Sequence, residues 1–493
     1  MKKEPLIYDL GSPGRRGVTM PAPDVPLAEM PADDLLRGDD LDLPEVSEID
    51  VVRHYLRLSH LNHSIDQDMY PLGSCTMKYN PRLNEDTARL PGLAGLHPYQ
   101  DGSQVQGALE LMYNLQEWLT EIGGFAGTSL QPAAGASGEF TGILMMRAYH
   151  LDRGDTKRDT ILIPDSAHGT NPASTSMSGL KVVELPSDER GNIDLEALKA
   201  ECGDHVVGLM ITNPNTLGLF EEHIVEVIET IRGCGGLVYG DGANMNALVG
   251  IVKPGELGFD VIHYNLHKTF STPHGGGGPG SGPVAVSERM VPFLPGPIVA
   301  RDSDGFRFVQ PEKSIGRMKA FYGNFGVLVR AYTFMRVYGG DGLRDMSQMA
   351  VLNANYLMKR VSEGYDIPYG NRFCMHEFVA EGDLLDIDVH ALDISKRLMD
   401  YGFHPPTNYF PLGKPAGTTL NVHGALMIEP TETESKETLD AFAEALLAIR
   451  KEADENPDLL HSAPHVTPVA RLDEVRAAKQ LVLCCRPIPE PPV

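Results

Sequence analysis

The chain has 493 residues and a formal net charge of −25, from 42 lysines and arginines against 67 aspartates and glutamates. Such acidity argues against a nucleic-acid binder, which normally carries a basic patch, and the length favours two or three domains of roughly 100–200 residues. Since 42% of the residues are hydrophobic and 22% are charged, the composition is typical of a folded globular enzyme and not of a disordered chain.

Residues 1–103 are predicted to form an N-terminal arm and an irregular segment without a core of their own. Residues 21–42 are rich in proline and acidic groups and indicate extended chain, whereas residues 49–61 have helical periodicity. We therefore expect this region to wrap on the rest of the chain or on a partner subunit.

No secretory leader or membrane segment is expected. The first five residues are not followed by an apolar stretch, and no run of about 18 apolar residues is present. The six cysteines lack disulfide or zinc spacing. The adjacent Cys484 and Cys485 could be redox-active, but packing near a chain end is the simpler interpretation. These features predict a reduced, cytoplasmic compartment.

Residues 104–330 are predicted to form a large α/β domain. Helical periodicity in residues 105–122, 140–150 and 222–232 alternates with apolar strand candidates. The strand candidates are residues 160–163, 206–212, 236–239, 261–264 and 283–286. Strands that are buried on both faces and joined by helices indicate a mostly parallel, doubly wound sheet.

Residues 331–493 are predicted to form a helical connection and a smaller C-terminal α/β domain. Long helical periodicity covers residues 346–362, and a further helix is expected at 435–452. Residues 487–493 contain four prolines, so this tail should be extended.

Lys268 is the residue most indicative of chemistry. It follows the apolar strand candidate 261–264 and precedes the glycine run 275–278. A lysine that forms a Schiff base with a carbonyl cofactor needs a partly desolvated amine on a rigid support, and this position offers both. A solvated lysine at a strand end has the same local pattern, so the interpretation depends on its neighbours.

Asp241 is the second candidate. It closes an apolar strand candidate 27 positions before Lys268, so both would lie at the sheet edge where α/β proteins bind ligands. A carboxylate there could hold the protonated ring nitrogen of a pyridine cofactor. Ala243 belongs to the same stretch and is assigned to the same cofactor site. Taken alone, such an aspartate could equally cap a helix or form a turn.

Two further segments complete a cofactor site. In residues 134–139 (Ala-Gly-Ala-Ser-Gly-Glu), Ala136 and Ser137 open a helix whose free N–H groups could cradle a phosphate, although neither a P-loop nor a G-x-G-x-x-G motif is present. His168 follows a strand candidate and could stack on a planar ring, or merely cap a turn. Together with Lys268 and Asp241 these residues supply the contacts that pyridoxal phosphate needs, and we predict an enzyme that uses it.

Other kinds of active site have weaker support. The pairs His60/His63 and His263/His267 lack accompanying ligands, so no metal site is predicted. The sequence contains no G-x-S-x-G nucleophile elbow.

Five longer stretches carry a resemblance that goes beyond single residues. They are residues 71–81, 166–174, 265–270, 402–407 and 427–435, which together span most of the chain. In these stretches the sequence resembles the glycine-cleavage P-protein family, whose activity is that of glycine dehydrogenase (decarboxylating, aminomethyl-transferring).

The resemblance implies a fold type I pyridoxal-phosphate enzyme, like aspartate aminotransferase. The implied reaction is decarboxylation of glycine, with transfer of the aminomethyl group to the lipoyl group of the carrier H protein. The length is similar to the C-terminal half of the family's long single-chain form. This implies the lysine-bearing second subunit, assembled with subunit 1 as a heterotetramer with two of each subunit. The long acidic arm and the tail from Cys484 onward depart from the family pattern.

Three alternatives remain at this stage. Another fold type I enzyme, such as an aminotransferase or a cysteine desulfurase, would share the lysine and the aspartate. A non-catalytic partner subunit would lack the lysine, and a nucleotide-binding protein would need a phosphate-binding lysine after the glycine run. The cation that would receive the glycine carboxylate is not identified by the sequence; Arg317 and Arg372 are weak candidates.

Overall fold

The computed structural model describes residues 4–38, 41, 43–274, 280–408, 422 and 424–483. The glycine run 275–278, the Cys484–Cys485 pair and the proline-rich tail therefore lie outside the described residues. The chain divides into two compact units, one of residues 1–68 and 464–493 and the other of residues 69–463. Within the described part of the chain, no helix is both long enough and apolar enough to cross a membrane.

The helices and strands are as follows. The α-helices are α1 (Glu48–Ser59), α2 (Arg82–Ala88), α3 (Pro91–Ala94), α4 (Gln106–Gly123), α5 (Gly135–Asp152), α6 (Asn171–Met177), α7 (Leu195–Glu201), α8 (Ile224–Gly233), α9 (Pro254–Leu257), α10 (Phe325–Val361), α11 (Ala391–Asp400), α12 (Lys436–Glu455), α13 (Pro457–His461) and α14 (Glu474–Lys479). The strands are β1 (Gly127–Ser129), β2 (Thr160–Pro164), β3 (Lys181–Leu185), β4 (Val206–Thr212), β5 (Leu237–Gly242), β6 (Val261–Tyr264), β7 (Val284–Val286), β8 (Ile298–Asp302), β9 (Gly305–Val309), β10 (Phe378–Glu381), β11 (Thr407–Asn408) and β12 (Ala425–Ile428).

The smaller unit contains α1 and α14. Helix α1 begins after Ser47, whose hydroxyl accepts the Asp50 N–H at 3.3 Å as an N-cap. Residues 21–38 of the predicted arm contain no α-helix or strand and are exposed. The predicted helix at 49–61 is thus observed one to two residues earlier, at Glu48–Ser59.

A seven-stranded sheet forms the centre of the larger unit, in the order β1-β7-β6-β5-β4-β2-β3. Strands β6, β5, β4, β2 and β3 pair in parallel. Strand β7 runs antiparallel to both of its neighbours, β1 and β6. All residues of β2, β4, β5 and β6 are buried, because helices cover both faces. The mostly parallel α/β sheet expected from the sequence is confirmed.

A smaller antiparallel sheet, in the order β10-β12-β11, follows later in the chain. It shares a hydrophobic core with α11, α12 and the second part of α10. Helix α12 places Leu439, Phe442, Leu446 and Ile449 at helical spacing toward this core. Helix α10 consists of two helical segments that meet at Gly339, whose φ of 61° only glycine adopts readily.

The topology brings the functional loops to one edge of the large sheet. Strands β2, β4, β5 and β6 are parallel, so their carboxyl ends meet at the same edge. Strand β1 is antiparallel to β7, which is antiparallel to β6, so β1 also ends there and leads into α5. The first turn of α5 therefore faces the loops that follow β2, β5 and β6.

Candidate active site

Lys268 lies in a tight turn just after β6. Its backbone N–H donates to the Asn265 carbonyl at 3.0 Å, which fixes the turn to the end of the strand. Its side chain is buried, with only 7% of the residue exposed. The Nζ atom donates a hydrogen bond to the carbonyl oxygen of Ser74 at 2.8 Å. A desolvated amine on a rigid support is the environment that an imine-forming lysine requires.

Asp241 is a buried carboxylate near the end of β5. The Ala243 N–H donates to its Oδ1 at 2.9 Å, and the ring Nε2 of His263 lies 3.4 Å from the same oxygen. Burial pushes the pKa of Asp241 upward, but His263, His168 and the Ala243 N–H together hold it below its ordinary value. An ionised carboxylate at this edge can keep a pyridine nitrogen protonated.

Ala243 and His263 both approach Oδ1 of Asp241. Ala243 is buried and contributes its backbone N–H. The His263 ring lies between the Tyr239 hydroxyl, 2.6 Å from Nδ1, and the Asn265 amide, 3.0 Å from Nε2. Burial lowers the pKa of His263 to about 4, so the ring is neutral. His263, considered in the sequence only as a metal ligand, instead supports Asp241.

His168 is half-buried in the turn after β2. Its backbone N–H donates to the Thr212 hydroxyl at 3.2 Å, and its Nδ1 lies 2.8 Å from the Thr170 hydroxyl. Burial lowers the pKa of His168, which favours the neutral ring. A flat, neutral imidazole held beside Asp241 has the properties needed to stack on an aromatic cofactor.

The first turn of α5 offers backbone N–H groups at the same edge. Gly138 N–H closes the first helical bond to Ala134 O at 2.9 Å, so the N–H groups of Gly135, Ala136 and Ser137 have no acceptor within the helix. Ala136 is exposed and Ser137 is half-buried. A Cβ at Gly135 would collide with the Asn265 side-chain oxygen, which explains glycine there. This turn can hold a phosphate.

Glu139 joins this cradle to the His168 loop, a role that the sequence did not reveal. It is buried, and its two oxygens accept hydrogen bonds from the hydroxyls of Thr170 at 2.6 Å and Ser174 at 2.9 Å. Burial, and then the charge of Asp241, raises the pKa of Glu139 to about 7. The only local signal was an acidic residue just after the first turn of a helix that begins with small residues.

The residues present fit pyridoxal phosphate. The charge of Lys268 acts on the carboxyl of Asp241 and the ring of His168, so the three groups lie within interaction range of one another. Several hydroxyls near Lys268 are buried and have no hydrogen-bond partner among the described residues, as expected where a polar ligand completes the site. They belong to Thr269, Thr272 and Ser281.

The two arginines considered for the glycine carboxylate are used elsewhere. The Arg372 guanidinium donates to the carbonyls of Phe220 at 2.7 Å and Arg190 at 3.1 Å. The Arg317 guanidinium donates to the Phe321 carbonyl and stacks over the Tyr322 ring at 5.4 Å. Within the part of the chain that the structure describes, neither side chain is hydrogen-bonded to a residue of the Lys268 site.

Two family models together match residues 46–465 of the chain. The model described as "Glycine cleavage system P-protein" matches residues 46–369, more than half of the chain. The model described as "Glycine dehydrogenase, C-terminal domain" matches residues 346–465.

Curated relatives from several bacteria are similar over almost their entire length. Proteins named "Probable glycine dehydrogenase (decarboxylating) subunit 2" include one from Chlorobium chlorochromatii, which is 55% identical over 489 residues, covering 98% of this chain and 100% of that protein. Another, from Caldanaerobacter subterraneus, is 56% identical over 484 residues, covering 97% of this chain and 98% of that protein.

Solved structures share the fold at lower identity. An inhibitor-bound glycine decarboxylase (P-protein) of the glycine cleavage system superposes with a TM-score of 0.71 at 22% identity, covering 85% of this chain and 93% of that one. A NifS-like protein gives 0.60 at 16% identity, covering 78% of this chain and 100% of that one. The glutamate decarboxylase of Lactobacillus brevis gives 0.64 at 14%, covering 88% and 96%. The fold is therefore the type I fold of pyridoxal-phosphate enzymes, as the sequence predicted.

Proposed function

Since this chain belongs to the glycine cleavage system P-protein family, we propose that it is the lysine-bearing subunit of a glycine dehydrogenase (decarboxylating). In this proposal Lys268 holds pyridoxal phosphate, glycine loses its carboxyl group as carbon dioxide, and the aminomethyl group passes to a lipoyl group on the carrier H protein. The observation that carries the proposal is the placement of Lys268, buried and hydrogen-bonded to Ser74, at the sheet edge that also presents Asp241.

Pyridoxal phosphate, when bound, supplies an electron sink for the charge left on glycine as the carboxyl group departs. This chain's residues supply the surroundings. Asp241 would hold the proton on the ring nitrogen, and His168 would stack on the ring. The N–H groups of Ala136 and Ser137 would bind the phosphate, while Ala243 keeps the Asp241 carboxylate in place.

The burial of Lys268 has a direct chemical use. An amine that exchanges with the amine of glycine must give up and regain a proton at Nζ, and exclusion of water prevents hydrolysis of the bond it forms. The Ser74 carbonyl, which accepts a hydrogen bond from Nζ, would orient the freed amine for its return to the cofactor.

The partners belong to the same proposal. Relatives named as subunit 2 support assembly with a subunit 1, and we propose two copies of each in a cytoplasmic heterotetramer. We likewise retain the division into residues 1–103, 104–330 and 331–493 as a proposal for the domain organisation.

A cysteine desulfurase is the competing function, since the apo cysteine desulfurase of Thermococcus onnurineus shares the fold with a TM-score of 0.58. That likeness is at 17% identity and supports the fold alone. A non-catalytic subunit is disfavoured because the chain retains Lys268 in a buried position.

Borohydride reduction of the protein loaded with pyridoxal phosphate tests the cofactor assignment. Peptide mapping should find the pyridoxyl label on Lys268, with the label absent from a Lys268→Ala variant. As a matched control, Lys313→Ala should label like wild type, because Lys313 is a surface lysine paired with Asp152. A label on another lysine, or none, would contradict the assignment.

A further inference from the structure

Three ionisable side chains that the proposed function does not use form a fully buried cluster. His376 and Glu377 lie just before β10, and Glu429 lies just after β12. The two strands pair with Phe378 opposite Ile428, which brings the flanking glutamates together. All three residues have 0% exposure, and one ligand-type atom from each lies within 4.8 Å of the others.

The cluster is short of hydrogen-bond partners. Among the described residues, neither ring nitrogen of His376 has a partner, and the Glu429 carboxylate has only the nearby Thr76 hydroxyl, which lies outside ideal hydrogen-bond geometry but lowers the pKa of Glu429. Glu377 is better satisfied, because it accepts the Ser74 N–H at 2.5 Å and the Asn244 amide at 3.2 Å. Two carboxylates that are this close together and fully shielded from water cannot both be ionised. The pair must therefore hold at least one proton or bind a cation.

Ser74 connects the cluster to the proposed imine-forming lysine. Its N–H donates to Glu377, and its carbonyl accepts from Lys268 Nζ at 2.8 Å. Ser74 has a φ of 59°, a left-handed conformation that is unfavourable for serine and is found where function constrains the backbone. The charge of Lys268 therefore faces the two carboxyls across a single residue.

We propose that Glu377 and Glu429 share one proton while Lys268 is an ammonium, and bind a second proton when Lys268 loses its charge. In the first state the pair carries one negative charge, which neutralises the ammonium. In the second state both carboxyls are neutral. Each N–H bond lost at Nζ is thus matched by one O–H bond gained on the pair, and the reverse change restores the ammonium.

The surroundings favour bound protons on the pair. Burial raises the pKa of Glu377 and, with the charge of Glu377, that of Glu429, while the charge of Lys268 opposes both shifts and so favours an ionised carboxyl. Burial lowers the pKa of His376 to about 3, so this ring is neutral and does not supply the counter-charge.

Further charged or titratable groups face the pair. Glu432 raises the pKa of Glu429 but is itself paired with Lys78 at 2.7 Å. The thiol of Cys75 also faces both carboxyls, and burial raises its pKa, which keeps it neutral. Lys268 is therefore the neighbouring charge whose loss should change the proton count of the pair.

This inference deepens the proposed function and relies on it only for the chemical use of the proton. The test is infrared spectroscopy of the cofactor-free protein at neutral pH, and it needs no glycine. Labelling glutamate with carbon-13 identifies the carbonyl bands of protonated glutamate side chains. Wild type should show a carboxylic-acid band from the pair. This band should disappear in Glu429→Gln and in Glu377→Gln, because the remaining glutamate is then ionised beside the Lys268 ammonium. Glu139→Gln identifies the separate band expected from Glu139.

The decisive variant is Lys268→Met, which removes the charge and keeps an apolar side chain of similar length. The band assigned to the pair should grow about twofold, since both carboxyls become neutral. An unchanged band, or no band from the pair in wild type, would overturn the inference, as would a stoichiometric divalent metal in elemental analysis that is lost in Glu429→Gln.

Two further controls keep the outcome interpretable. If the glutamine variants do not fold, the comparison of wild type with Lys268→Met decides alone. A protein that shows the expected bands but does not exchange the glycine carboxyl would refute the proposed function and leave the shared proton standing.

Discussion

At the scale of single residues, position along a strand was enough to predict part of the site. Lys268 and His168 follow apolar strands and Asp241 lies near the end of one, and the structure places all three at the carboxyl edge of the sheet; their roles stay predictions. Glu377 and Glu429 could not be assigned, because their significance depends on contacts between distant parts of the chain. The Ser74–Glu377 hydrogen bond, for example, spans 303 positions.

Replacement of Asp241 tests the proposed ring-nitrogen contact. Asp241→Asn keeps the size of the side chain and loses its charge, so the ring nitrogen would no longer be held protonated. We expect exchange of the glycine carboxyl to fall by roughly 10²-fold or more, the usual scale for losing one electrostatic stabiliser. The control Asp194→Asn changes a helix cap and should keep wild-type exchange; equal rates in both variants would argue against the role of Asp241.

The raised pKa of Glu377 predicts a pH-dependent stability. Its folded-state value of about 8 exceeds the ordinary 4.5, so between these values the folded protein binds more protons than the unfolded chain. This group's contribution to the free energy of unfolding should therefore decrease as pH rises through that window. The free energy of unfolding, measured by urea denaturation from pH 5 to 8, should depend less on pH in Glu377→Gln than in wild type. The control Glu312→Gln, at a position outside the cluster, should behave like wild type. Parallel curves would contradict the prediction.

At the scale of secondary structure, the strands that the sequence revealed are the ones buried on both faces. Strands β2, β4, β5 and β6 are continuous apolar runs, whereas β3 was missed because its first four residues are partly or fully exposed. Strand β1 was missed because Gly127–Ser129 contains no apolar residue, whereas the equally short β7, Val284–Val286, is entirely apolar. Helix α5 was anticipated, but the need for glycine at its first residue depends on the side chain of Asn265, which is remote in sequence.

The N-terminus of α5 can be tested as a phosphate cradle. A methyl group in Gly135→Ala would collide with Asn265 and displace the first turn, so the dissociation constant for pyridoxal phosphate should rise about tenfold or more, equivalent to about 1.4 kcal/mol. Gly107→Ala in α4 adds a methyl that meets nothing within 4 Å and should bind as wild type. Unchanged binding in Gly135→Ala, measured by fluorescence titration, would exclude this turn from the site.

At the scale of the whole molecule, the N-terminal arm resembles a binding segment more than a folded domain. Within its own unit, five apolar side chains of the arm are 71–83% exposed: Val18, Met20, Leu27, Met30 and Leu35. Apolar side chains spaced along extended chain are typical of segments that become covered by a partner. The sequence anticipated this arm from its proline and acid content, but could not identify what covers it.

Assembly with subunit 1 provides the corresponding prediction. Co-expression of the two subunits should give a complex that native mass spectrometry resolves as two copies of each. Removal of residues 1–43 should weaken this complex if the arm binds the partner, while Met20→Ser alone should have a smaller effect. A truncated chain that assembles as well as the full chain would place the interface elsewhere.

The central claim is that Lys268 is the amine through which this protein decarboxylates glycine. The most direct measurement is exchange of labelled bicarbonate into the carboxyl group of glycine, by the chain reconstituted with subunit 1, lipoyl-bearing H protein and pyridoxal phosphate. Wild type and Lys313→Ala should exchange label at the same rate, and Lys268→Ala should lose the activity by roughly 10³-fold or more while remaining folded. Exchange that persists in Lys268→Ala, or is absent from wild type, would contradict the account.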